Sequence, residues 1–216
     1  MQLLAFTDIH GSHEKVKKII ERETKADAVI VGGDLTTWGK LSDAEEALAS
    51  IRSAGKPVFA VAGNMDSPEF DAFFEKESVS VNGKGIRFHE AGIFGVSGSP
   101  PTPMHTPYEI SEEEIGQRAE QGWKDVAGAR WNIFVPHAPP RDTKLDKILL
   151  GRHVGSTAVR AFIEQHQPDV VVCGHIHEAR GVDSIGKTQI VNCGQAGKGY
   201  YAIIRLEATV SIEVRE

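Results

Sequence analysis

Five short apolar runs, each closing on glycine or a polar residue, constrain the fold most: "LLAFTD" (3–8), "AVIVGGD" (28–34), "PVFAVAGN" (57–64), "WNIFVPH" (131–137) and "DVVVCGH" (169–175). They read as strands buried on both faces, as in a parallel sheet. Helical patterns separate them. "HEKVKKIIERE" (13–23) puts Val16, Ile19 and Ile20 on one face. "SDAEEALASIRSAG" (42–55) predicts a helix capped by Ser42 with Glu45 three residues on, closing at Gly55. "SEEEIGQRAEQGWKDV" (111–126) repeats the Ser–x–x–Glu pattern, and "STAVRAFIEQHQP" (156–168) stops at a proline. Strand–helix–strand alternation predicts an α/β chain with right-handed crossovers.

Two later stretches differ. "IRFHEAGIFGVSG" (86–98) and residues 188–216 read as hairpins, and "LEATVSIEV" alternates like an antiparallel strand with one wet face. A second sheet, or antiparallel edges around the parallel centre, is therefore expected. With no linker, low-complexity tract or repeat in view, residues 1–216 read as one domain. The proline-rich loop "GSPPTPMHTPYEIS" (98–111) is a candidate lid or a rigid surface connection.

Charge narrows the partners. Against 30 acidic residues stand 24 Lys and Arg, giving a net charge of −6, and no basic run suggests extended nucleic acid contacts. The first residues have no positive n-region, and no apolar run approaches a membrane span, so a cytoplasmic location off the membrane is expected. Cys173 and Cys193 lie in apolar context and read as buried free thiols.

The chemistry gathers at strand ends, where open α/β sheets bind ligands. "TDIH" offers Asp8 and His10, "GGD" offers Asp34, and "GNMD" offers Asn64. "VPH" offers His137, and "GHIH" offers His175 and His177. No Lys or Arg joins them. Oxygen and imidazole donors without thiolates suit Mn²⁺, Fe or Zn²⁺. The group is too large for one ion but fits two if a carboxylate bridges. Each motif alone has an ordinary explanation: a helix cap, a turn, or a surface histidine. Their ordered appearance at successive strand ends does not.

These blocks resemble, in order, those of the calcineurin-like metallophosphoesterase superfamily: Asp8–x–His10, Gly32-Gly33-Asp34, Gly63-Asn64-x-Asp66, His137, and Gly174-His175-x-His177. "GVSGSPPTP" (95–103), "HAPP" (137–140) and "GRHVGS" (151–156) are similar to a subgroup of small prokaryotic phosphoesterases. The resemblance implies a four-layer α-β-β-α sandwich with mixed sheets and a dinuclear metal site. It also implies a division of ligands: Asp8, His10 and His177 on one ion, Asn64, His137 and His175 on the other, and Asp34 bridging. The expected reaction is phosphoester hydrolysis, with a metal-bridging hydroxide attacking phosphorus in line and Mn²⁺ the leading metal.

Met65 modifies that expectation. Many relatives carry a histidine there to aid the leaving oxygen, and methionine has no transferable proton. Either the substrates have good leaving groups or are diesters whose departing oxygen is aided by a metal-bound water, or another histidine serves. His105 and His153 are the candidates in loops, with His153 favoured. His13 and His166 fall on helices and His89 on a hairpin strand. Asp66 reads as support for an imidazole or as a cap for the helix after Ser67-Pro68. Glu178 reads as a supporting or a solvated residue. The alternatives are a non-catalytic scaffold on the same fold, disfavoured because every ligand position is filled, a broad phosphomonoesterase, and a nuclease, disfavoured by charge. A small, nucleotide-like phosphoester is the expected substrate, and the C-terminal hairpin offers an edge for a homodimer.

Overall fold

A computed structural model describes residues 1–53, 55–149 and 151–216. Each of the five apolar runs forms a strand: β1 (Gln2–Phe6), β2 (Ala28–Gly32), β3 (Val58–Val61), β6 (Trp131–Pro136) and β7 (Val170–Cys173). They do not share one sheet. β1, β2 and β3 run parallel in a five-stranded sheet ordered β11-β10-β1-β2-β3. β6 and β7 run parallel in a six-stranded sheet ordered β4-β5-β6-β7-β9-β8. The antiparallel strands lie outside these parallel centres. β10 (Tyr201–Leu206) and β11 (Val210–Arg215) extend the first sheet, and β4 (Gly85–Phe88) and β8 (Gly181–Ile185) edge the second. β5 (Ala91–Val96) and β9 (Thr188–Asn192) join the second parallel centre.

Side-chain alternation along the strands builds the layers. Leu3, Ala5, Ile30 and Val61 of the first sheet pack with Ile93, Ile133, Val135, Val170 and Val172 of the second, closing a core between the sheets. Leu4, Phe6, Val29 and Val31 face the other way, with Val16, Ile19 and Ile20 of α1 (His13–Arg22) and Ala44 and Leu48 of α2 (Leu41–Arg52). On the far side Phe94, Phe134 and Val171 turn toward Ala119 of α4 (Glu112–Val126) and Phe162 of α5 (Thr157–His166). The result is the four-layer sandwich with mixed sheets that the family resemblance implied.

The helix ends show where local signals held. Ser111 accepts from the Glu114 N–H at 3.1 Å and Ser156 from the Val159 N–H at 3.1 Å, each capping its helix. Ser42 does not cap α2. The helix already begins at Leu41, and the Asp43 carboxylate takes the Lys40 N–H at 2.8 Å, satisfying the orphan donor from inside the first turn. α3 (Glu69–Lys76) starts beyond Pro68 with no side-chain cap bond there, so Asp66 is not its cap. His89 sits in the β4–β5 turn with φ 51°, rather than on a strand. Cys173 and Cys193 are free and buried.

Candidate metal centre

All parallel strands that carry a predicted donor end at the same rim, where the two sheets meet. Asp8 follows β1, Asp34 follows β2 and Asn64 follows β3. His137 follows β6, and His175 and His177 follow β7. Asp8, Asp34, Asn64 and His137 are buried, and His10, His175 and His177 are half-buried.

The donor atoms converge. His177 Nε2 lies 3.1 Å from Asp8 Oδ1 and 3.3 Å from His10 Nε2. His175 Nδ1 and His137 Nε2 lie 2.7 and 2.9 Å from Asn64 Oδ1. Asp34 Oδ2 stands between the two sets, 3.8 Å from His10 Nε2 and 3.5 Å from His137 Nε2. Two groups bring their ligand atoms within 4.8 Å of one another: Asp8 with His10 and His177, and Asp8 with Asp34 and His137. All seven predicted donors are thus at one place. His153 is not among them. Its Nδ1 lies 2.7 Å from Asp146 Oδ1, on a turn beside the "HAPP" segment, where the Ser156 N–H donates to the Pro139 carbonyl at 2.9 Å. His105 is exposed on the proline-rich loop, and Glu178 is exposed to solvent.

The chain bends sharply to deliver these groups. Asp8, His10, Asp34 and His175 all adopt left-handed backbone, with φ of 57°, 48°, 52° and 66°. Non-glycine residues rarely do so, and the conformation persists only where surrounding contacts enforce it. Two glycines admit the carboxylates. A Cβ on Gly63 would overlap Asp34 Oδ1, and one on Gly174 would overlap Asp8 Oδ2.

Supporting bonds orient the donors. His137 Nδ1–H donates to the Gly32 carbonyl at 2.8 Å, which turns the Nε2 lone pair inward. His10 Nδ1 meets Thr37 Oγ1 at 2.7 Å. Asp66 supports no imidazole. Its buried carboxylate accepts from the N–H groups of Leu35, Thr36 and Gly63 at 3.1, 2.9 and 2.9 Å and from Thr36 Oγ1 at 3.0 Å. It therefore staples the loop after β2 to the loop after β3. Two supports escaped sequence reading. Thr7 bonds both Asp8 and the Gly194 carbonyl, and the Asn192 carboxamide holds the carbonyls of Leu145, Gly174 and Ile176.

The electrostatics favour a cation. Burial would raise the Asp8 carboxyl, but the His177 hydrogen bond and the charge of His137 override it and hold it at about 2. Burial opposes charge on His137, yet the Asp34 carboxylate lifts it to about 9. Burial and then His137 depress His175 to about 4. Burial and the Asp34 charge push Asp66 up to about 7 against its backbone donors. The carboxylates thus draw a proton onto His137, whose Nε2–H donates to Asn64 Oδ1 in the absence of an ion. A divalent ion would replace that proton and supply the positive charge itself, and the hard and borderline donor set fits Mn²⁺, Fe or Zn²⁺.

The comparisons agree with this architecture. The model of the calcineurin-like phosphoesterase family matches residues 1–179, and the chain belongs to that family. It is a metal-dependent phosphoesterase by that membership. An uncharacterized protein of Methanocaldococcus jannaschii is 35% identical over 197 residues, 89% of this chain and 87% of that one. The crystal structure of TT1561 from Thermus thermophilus superposes with a TM-score of 0.80 at 21% identity, covering 100% of this chain and 98% of that one. A structure described as a novel archaeal phosphodiesterase superposes at 0.57 with 14% identity, covering 100% of both chains. These two structures share the fold. No helix among the described residues is long and apolar enough to cross a membrane.

Proposed function

We propose that residues 1–216 act as one domain, a dinuclear phosphoesterase that prefers small phosphodiesters. The observation that carries this reading is the convergence of two buried carboxylates, a carboxamide and four imidazoles, drawn from both sheets, at one rim. Asp8, His10 and His177 would hold one ion, Asn64, His137 and His175 the other, and Asp34 both, with Mn²⁺ the leading metal. When bound, such ions activate water and offset the charge that builds on the phosphoryl oxygens.

The chain's own groups divide the remaining work. Asp66 fixes the Asp34 and Asn64 loops relative to each other. The Met65 N–H donates to Asp34 Oδ1 at 2.8 Å and so orients the shared carboxylate, while its side chain has no proton to give. We assign that proton to His153, whose Nδ1 is engaged by Asp146, leaving Nε2 to exchange it. A substrate whose leaving oxygen departs readily asks least of such a donor, and an archaeal phosphodiesterase shares the fold.

A metal-supplemented screen of phosphoesters, with Asp34→Asn as control, tests the reading. Activity that is lost in the folded variant supports it. Retained activity would show that the site is assigned wrongly, and hydrolysis of aryl monoesters alone would end the diester preference.

A further inference from the structure

Trp38 is 62% exposed although indole is among the most apolar side chains. Single exposed hydrophobes are ordinary; the setting of this one is not. Its φ is 57°, a left-handed conformation that a bulky residue adopts only when the surroundings force it. Those surroundings are the walls of the metal centre. Thr36 is bound through its N–H and hydroxyl to Asp66, at 2.9 and 3.0 Å. Thr37 Oγ1 is 2.7 Å from His10 Nδ1. The Trp38 N–H donates to the Met65 carbonyl at 3.0 Å. Three successive residues are thus tied to the loops after β1 and β3, and the chain leaves an indole in solvent at their junction.

A ring on a backbone fixed in this way has only two side-chain torsions left to order, so it binds a flat partner at small entropic cost. The same rim offers no Lys or Arg at the strand ends, and Met65 adds a half-buried apolar side chain to the loop that takes the Trp38 N–H. Trp38 and Met65 thus offer apolar contact for recognition beyond the phosphate.

We propose that Trp38 is the stacking platform for an aromatic group of the substrate, a nucleobase or aryl ring whose phosphate would be met by ions bound at the Asp8–Asp34 cluster. This assignment rests on the phosphoesterase reading above and narrows its substrates to aromatic phosphodiesters.

The test compares the Mn²⁺-loaded wild type with Trp38→Ala and Trp38→Phe on two substrates, a nucleoside 2′,3′-cyclic phosphate and glycerophosphoethanolamine. Stacking on an aromatic side chain predicts about a 10-fold rise in KM for the cyclic nucleotide in Trp38→Ala. Most of that affinity should return in Trp38→Phe, and KM for the alkyl diester should not change. A second readout needs no turnover: AMP titrated into the protein should quench indole emission in the wild type. It should do so far less in Trp38→Phe, which keeps Trp123 and Trp131. Equal losses on both diesters, or quenching that survives Trp38→Phe, would overturn the platform while leaving the hydrolase intact. Should neither diester be turned over and Asp34→Asn match the wild type, the phosphoesterase reading fails, and the AMP titration alone then decides the role of Trp38. A change in oligomeric state on Trp38→Ala without a change in AMP binding would show that the indole meets a second copy of the chain and would also overturn the proposal.

Discussion

The peptide N–H of Tyr108 donates to the carbonyl of Asn64 at 3.0 Å, so the proline-rich loop is fastened to the residue that would hold a metal. The loop is rigidly built on its inner side. The Gly98 N–H donates to the Ala62 carbonyl at 3.0 Å, and the Tyr108 hydroxyl bonds Asp71 while accepting from Arg118 at 2.7 Å. Asp71 in turn accepts from the Ser97 hydroxyl at 2.7 Å, whose oxygen takes the Ala62 N–H at 3.0 Å. Burial, then Asp71, pushes the Tyr108 phenol up to about 12, so it remains a donor throughout the working range.

Tyr108→Phe removes that hydroxyl from a half-buried network of charged partners. A loss of about 1–3 kcal/mol is expected in urea unfolding, with faster proteolysis within residues 98–111. An unchanged midpoint and cleavage rate would mean that the network does not hold the loop.

Asp66→Asn exchanges one acceptor oxygen for an amide that faces backbone donors. The variant should lose about 2–4 kcal/mol of stability. Because the staple aligns the Asp34 and Asn64 loops, Mn²⁺ should bind about 10- to 100-fold more weakly, as for other outer-shell changes. Isothermal titration gives the affinity and thermal melts give the stability. Full Mn²⁺ affinity in a destabilised variant would separate the two effects and refute the alignment role.

His153→Gln separates leaving groups. If His153 supplies the proton, kcat on an alkyl diester should drop by about 10²-fold or more, while a p-nitrophenyl diester, which departs unaided, should be nearly unaffected. Equal effects on both would reduce His153 to a structural residue.

Asp146 gives a stability that depends on pH. Its buried carboxylate accepts from the N–H groups of Thr143 and Gly155 at 2.9 and 3.0 Å and from His153. Burial would raise its pKa, but these bonds outweigh burial and lower it. A depressed folded value means that the contribution is complete above the unfolded Asp value of about 3.9 and fades as pH falls through the folded one. Asp146→Asn should therefore be less stable than wild type at pH 7, and the gap should close in acid. A gap that stays constant down to a pH of about 2, below the unfolded value, would contradict the assignment.

Much of this was legible in the chain. Each buried strand announced itself because a strand covered on both faces must be apolar throughout, and the donor motifs followed directly. The same continuity hid which strand joins which sheet: "AVIVG" and "VVVC" are equally apolar, and nothing local says which neighbour each will pair with. β8 escaped because "GVDSI" is an edge strand whose alternate residues meet water, with Val182 exposed. Asp66 resembled a helix cap because Asp-Ser-Pro commonly precedes a helix, whereas its partners Leu35 and Thr36 lie 31 and 30 positions away in the sequence. The left-handed turns at Asp8, Asp34 and His175 leave no mark at all, since the residues that strain them into place are themselves distant.

Each proposed ion draws on both sheets. His177 comes from the six-stranded sheet and Asp8 from the five-stranded one; His137 and Asn64 divide in the same way. An ion held by such a set would tie the two sheets together at that rim. Bound ions would therefore add a cross-link between the two sheets that the side chains alone do not supply.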